Sequence, residues 1–158
     1  MGSSFQRKRI RLPDYDYSSP GYYFVTFCTK DRVQILGRIA SGNEFKPPEM
    51  VLNRFGEAVR SCIEEIPAHY PSIQVVKYVV MPNHVHLILT FSSENTGNPA
   101  LSTVIQQLKR AVSVRTGKAF WQPRYYEHVI RDENEFLEIW KYIDTNPIKW
   151  ELDKYYQK

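Results

Sequence analysis

The stretch from Tyr78 to Phe91 leaves this chain few ways to fold. β-Branched and aromatic residues fill it and Met81-Pro82-Asn83 is its one break, so it predicts two strands, Ile73 to Val80 and His84 to Phe91, joined at a short turn. Side chains alternate along the second strand, so His84, His86, Ile88 and Thr90 share one face and Val85, Leu87, Leu89 and Phe91 the other. A slip of one residue would turn the apolar face to water, which fixes the register. The other face carries two imidazoles side by side. Histidines at i and i+2 on a strand can hold one metal ion through neutral ring nitrogens, the form that predominates above about pH 6.5. Two ordinary half-exposed strand histidines have the same signature.

At 158 residues the chain is long enough to bury a core as a single domain, 1–158, without disulfides. We read 1–17 as a basic N-terminal arm, 18–147 as the core and 148–158 as a C-terminal tail. Cys28 and Cys62 are too few for a disulfide scaffold and do not form a metal-binding pair, so they read as reduced core residues. No stretch is apolar and long enough to cross a bilayer, and Met1 to Arg11 lacks the apolar centre of a signal peptide. The expectation is a cytoplasmic protein with no membrane partner. A net charge of +4 with 14% aromatic residues permits nucleic-acid binding without requiring it.

In the arm, Arg7, Lys8, Arg9 and Arg11 can neutralise phosphates and the tyrosines after them can stack on bases; a solvated arm has the same composition. After the turn residues Ser18 to Gly21, Tyr22 to Thr29 reads as the first strand and Val33 to Ile39 as its partner. Ala40 to Glu49, with Gly42, Asn43, Pro47 and Pro48, reads as a surface excursion. Asn53 caps a helix over Phe55 to Ile66 that Pro67 ends, with His69 in the loop after it. Pro99 suits the first turn of the next helix. Its apolar face is Leu101, Val104, Ile105, Leu108, Val112 and Val114; Gln106, Lys109 and Arg110 lie on the other side, where they can grip a nucleic-acid backbone or simply face water.

Phe120 to Arg131, interrupted at Gln122-Pro123, reads as the last strand. Asp132 and Glu135 form a capping box for a helix from Glu133 that Pro147 stops at Asn146. Phe136, Trp140 and Ile143 are its expected buried stripe, and Tyr142 and Asn146 lie four residues apart on one flank. Such a pair can present a phenolic and an amide oxygen to one ion or phosphate, although a tyrosine beside an apolar stripe is also an ordinary core residue.

Together Val79 to His86, Tyr126 to Arg131 and Tyr142 to Pro147 resemble the REP-associated tyrosine transposases, relatives of the single-tyrosine HUH transposases. The likeness runs from about Tyr22 to Tyr156 and includes Gly37 to Ile39 and Leu52 to Gly56; Met81 to His86 is its most specific string. The resemblance implies an α+β fold of the HUH endonuclease type: a ferredoxin-like antiparallel sheet with helices packed on it. It further implies action on single-stranded DNA beside hairpins, as a monomer or homodimer. Tyr142 would be the nucleophile, with His84, His86 and Asn146 holding a divalent cation, Mg²⁺ or Mn²⁺. Tyr125 and Tyr126 are rival nucleophiles, and His128 is placed for a proton transfer or a structural hydrogen bond. By the same likeness the arm and the Gln106, Lys109 and Arg110 face become DNA contacts. Two other readings stay open: a hairpin-binding regulator that no longer cuts, and a metal-dependent phosphoesterase with a water nucleophile.

Overall fold

Alternation in and out of a core recurs in the strands around His84 to Phe91, and the computed structural model, which describes residues 16–92, 97–153 and 155–156, joins them into one sheet. In chain order the elements are β1 (Gly21–Cys28), β2 (Gly37–Ala40), β3 (Glu49–Leu52), α1 (Arg54–Glu64), α2 (Ile66–His69), β4 (Ile73–Val80), β5 (His84–Phe91), α3 (Leu101–Thr116), β6 (Tyr126–Ile130) and α4 (Glu133–Asp144). Short 3₁₀ turns stand at Lys30–Arg32 and Trp150–Leu152. The main sheet runs β4-β5-β1-β6 and every neighbouring pair is antiparallel. Leaving out the β2–β3 ribbon, α2 and the final helix α4, the order is β-α-β-β-α-β with two helical crossovers, the ferredoxin-like arrangement that the resemblance implied.

Tyr23, Val25 and Phe27 of β1 and Val85, Leu87, Leu89 and Phe91 of β5 point to one face, where α1 and α3 cover them. Burying each such side chain contributes about 1.5–3 kcal/mol. The opposite face is covered differently. There Phe24 and Ile88 meet Ile139 and Ile143 of α4, and the two imidazoles lie beside this smaller cluster. Among the described residues no helix is long and apolar enough to cross a membrane.

Several boundaries differ from the sequence expectation. Val33 to Ile39 is not the partner of β1, which pairs with β5 and β6. Val33 is 55% exposed and only Leu36 of that run is fully buried, so it has no strand-like inner face; Gly37 to Ala40 pairs instead with Glu49 to Leu52. The excursion from Ala40 to Glu49 is thus the tip of a two-stranded ribbon. Pro67 opens a second short helix rather than ending a long one, since proline needs no amide donor in a first turn. Val114 faces solvent and the last strand shrinks to Tyr126–Ile130. On α4 the buried line is Ile139 and Ile143; Trp140 is partly exposed over the Lys77 ammonium. That rotation turns Tyr142 towards the sheet.

Candidate active site

β5 begins at His84, opposite Cys28 of β1, and His86 lies opposite Thr26. Both imidazoles are fully buried, with ring centroids 4.6 Å apart. Their hydrogen bonds bear on which nitrogen of each faces outward. Asn83 Nδ2 donates to the carbonyls of Arg32 at 3.1 Å and Tyr155 at 2.7 Å, so its Oδ1 is the atom 2.8 Å from His84 Nδ1. An amide oxygen only accepts, so Nδ1 carries the proton and Nε2 keeps the lone pair that a cation needs. His86 Nδ1 lies 2.6 Å from Thr26 Oγ1, which can accept from it in the same way.

α4 supplies the next group. Asp132 caps it by accepting from the Glu135 amide at 2.8 Å, while Glu135 accepts from the Arg131 amide at 3.0 Å, one residue before the usual capping-box position. The helix thus anchored sets the Tyr142 ring 5.0 Å from that of His86 and 6.3 Å from that of Phe24. Helical geometry ends at Asp144, and Asn146 sits in the turn before Pro147, almost completely buried. Its Nδ2 donates to Asp153 Oδ2 at 2.9 Å, and its Oδ1 has no hydrogen-bond partner among the described residues.

Asp153 was not singled out from sequence. Its Oδ1 accepts from the Tyr155 amide at 2.8 Å, and its Oδ2 lies 4.0 Å from His84 Nε2. His84, His86 and Asp153 each bring one ligand atom within 4.8 Å of the others. The segment set apart as a tail therefore closes this site: Trp150 and Tyr155 are buried, and the Tyr155 ring lies 4.4 Å from that of His84. No periodic pattern marks residues 148–156, which is why they read as a tail.

These donors fit a divalent cation. A buried amide oxygen left unpaired costs about 1–3 kcal/mol, a cost that a cation relieves. Two imidazoles with oxygen donors suit Mn²⁺ better than Mg²⁺, which favours oxygens throughout.

Most of the remaining candidates lie elsewhere. Arg7, Lys8, Arg9 and Arg11 fall outside the described residues. Gln106 and Arg110 are exposed on α3, which covers the sheet face opposite the imidazoles, so the structure does not bring them to the site. Lys109 Nζ donates to the carbonyls of Gln122 at 2.8 Å and Arg124 at 3.1 Å, and burial pushes its pKa down to about 8. His128 Nε2 lies 2.8 Å from Glu135 Oε2. Tyr125 packs against the larger core, whereas Tyr126 shares the imidazole face, its ring 6.0 Å from that of Phe24. His69 lines a groove of about 330 Å³ between α1, α2 and α3.

Residues 18–146 match the model of a family described as Transposase IS200 like. An uncharacterized protein of Haemophilus influenzae is 33% identical, over 95% of this chain and 93% of that protein. The REP-associated tyrosine transposase of Escherichia coli (strain K12) is 32% identical over 77 residues, 48% of this chain and 45% of that protein. A solved structure of a REP-associated tyrosine transposase bound to a REP hairpin aligns with a TM-score of 0.67 at 25% identity, over 91% of this chain and 76% of that one.

Proposed function

The chain belongs to the IS200-like transposase family, and on that premise we propose that it cuts and rejoins single-stranded DNA beside a hairpin through a covalent bond to Tyr142. The observation that carries this reading is the placing of Tyr142 against His86, on the one face of the sheet where two imidazoles, the Asn146 amide and the Asp153 carboxylate converge. The hairpin comes from the structural neighbour, which is bound to one.

His84, His86 and Asn146, with Asp153 added by the structure, would hold a divalent cation, Mn²⁺ or Mg²⁺. Such an ion, when bound, draws charge off the non-bridging phosphate oxygens. Tyr142 does the covalent work. Its oxygen attacks the phosphorus, the bond to the 3′ oxygen breaks, and the proton leaving the phenol is balanced by one taken up at that oxygen. The product is a 5′-phosphotyrosine and a free 3′-hydroxyl. Because the phosphoester is exchanged rather than hydrolysed, a later hydroxyl can reverse the step and reseal the strand. A free phenol has a pKa of about 10 and is protonated at neutral pH, so the attack depends on loss of that proton, while the rigid helix and the adjacent His86 ring contribute aim. Arg7, Lys8, Arg9 and Arg11, with Gln106, Lys109 and Arg110, are assigned to the DNA backbone.

The test is a denaturing gel of protein incubated with single-stranded hairpin oligonucleotides and Mn²⁺. A protein–DNA adduct should form with wild type and Tyr126→Phe and be lost with Tyr142→Phe or EDTA. Cutting without an adduct would instead favour the phosphoesterase, and retarded, uncut DNA the regulator.

A further inference from the structure

β4 pairs with β5 from Ile73 to Val75 and again from Lys77 to Val80, and the register shifts between the two runs, a β-bulge at Val76. One extra residue in a strand reverses the face of every side chain after it. Without the bulge Lys77 would stand opposite Leu87 and face α1 and α3; with it Lys77 stands opposite Ile88, on the face of the imidazoles. There its ammonium reaches the end of α4. Nζ donates to Asp144 Oδ1 at 2.7 Å and lies 4.6 Å from the centre of the Trp140 ring. Trp140 comes two residues before Tyr142 and Asp144 two after it, so one cation grips the helix on both sides of that tyrosine. The apolar contact beneath the helix is small: of α4 only Ile139 and Ile143 are buried, against Phe24 and Ile88. At the other end Glu135 ties the helix start to β6, its Oε1 accepting from the Arg131 amide and its Oε2 lying 2.8 Å from His128 Nε2. β4 and β6 are opposite edges of the sheet, so α4 is held at both edges with Tyr142 between the ties.

We propose that Lys77 is a positioning residue for strand cutting: by holding Trp140 and Asp144 it sets the rotation of α4 that aims the Tyr142 oxygen beside His86. The inference rests on the proposed strand-cutting reading, and Lys77 itself takes no part in the bond exchange. A displacement of about 1 Å at a reacting atom can cost as much as about a hundredfold in rate, even when its cause lies away from the chemistry. The bulge then has a use, since bulges beside active sites serve to re-aim a side chain. The effect falls on rate more than on stability, because a partly exposed ion pair contributes little to folding.

The readouts are single-turnover formation of the protein–DNA adduct on a single-stranded hairpin oligonucleotide with Mn²⁺ and saturating protein, hairpin affinity by fluorescence anisotropy in the Tyr142→Phe background, and melting temperature. Lys77→Met should slow the adduct about five- to thirtyfold, the joint weight of an ion pair and a cation–π contact, while affinity stays within about twofold. Lys77→Arg keeps both contacts and should stay within about threefold of wild type. Lys77→Asp should be slow, and adding Asp144→Lys to it should restore most of the rate. Asp144→Ala separates aim from stability. Removing a carboxylate from a helix C-terminus should hold or raise the melting temperature, yet adduct formation should slow. An unchanged rate in Lys77→Met, a charge swap as slow as Lys77→Asp alone, or a rate that follows melting temperature across the set would overturn the positioning role. An affinity loss as large as the rate loss would overturn it too, by making Lys77 a DNA contact. No adduct from wild type would overturn the strand-cutting reading, and this inference with it.

Discussion

Asn83 donates through its amide nitrogen to the Arg32 and Tyr155 carbonyls, which leaves its oxygen facing the His84 ring and holds that ring in the tautomer whose Nε2 can ligate. A residue outside the proposed ligand set thereby fixes which ring nitrogen of His84 is left to ligate. Replacing it with leucine keeps similar volume and removes the acceptor, so Asn83→Leu should lower Mn²⁺ affinity about 10–100-fold, the usual cost of losing such a supporting partner, by isothermal titration calorimetry. Unchanged affinity would show that the ring orients itself. Lys109 offers a separate test through pH. Its folded pKa of about 8 lies below the 10.5 of an unperturbed lysine, so between those values the unfolded chain binds a proton that the folded one lacks. Its contribution to stability therefore rises as pH rises through that window, by at most about 1.4 kcal/mol per pH unit. Urea unfolding at pH 8 and pH 10 should show wild type gaining on Lys109→Met, and parallel curves would contradict the assignment.

Among the elements, α1 is seated by two small residues. Asn53 Oδ1 accepts from the amides of Phe55 at 2.9 Å and Gly56 at 3.0 Å, while its Nδ2 donates to the Ile35 carbonyl, tying the helix start to the chain before β2. A Cβ on Gly56 would fall 2.2 Å from the Leu36 carbonyl oxygen, a backbone atom that cannot turn aside. Gly56→Ala should therefore destabilise the fold by about 1–3 kcal/mol despite its better helix propensity, the range for overpacking, measured by urea denaturation. A neutral or stabilising result would mean that helix and loop shift apart freely. The main strands and helices were legible because alternation and caps are local: β5, the Asn53 cap and the Asp132 cap can each be read within a few residues. The β2–β3 ribbon was not, because its pairing depends on Gly37 and on a partner beyond two prolines. Trp140 misled because an aromatic ring lying over Lys77 at the edge of α4 has the same spacing as a buried one.

For the whole molecule, the consequence is that the site draws on β5, on the turn after α4 and on Asp153, so a cation held there would join parts far apart in sequence. His84, His86, Tyr142 and Asn146 could be picked out as donors within local motifs, whereas Asp153 could not, since only the fold returns it to β5. A ligand that binds only the folded chain stabilises it by mass action, so Mn²⁺ at a hundred times its dissociation constant should raise stability by about 2.7 kcal/mol. Asp153→Ala should reduce the accompanying rise in melting temperature, and an undiminished rise would remove Asp153 from the ligand set. In the proposed reaction Tyr142 forms the covalent bond. Protein trapped with a cut hairpin oligonucleotide can be digested with protease and nuclease and its peptides read by mass spectrometry. A nucleotide phosphate is expected on Tyr142. The same mass on Tyr125, Tyr126 or Tyr155, or cut DNA with every tyrosine unmodified, would contradict it.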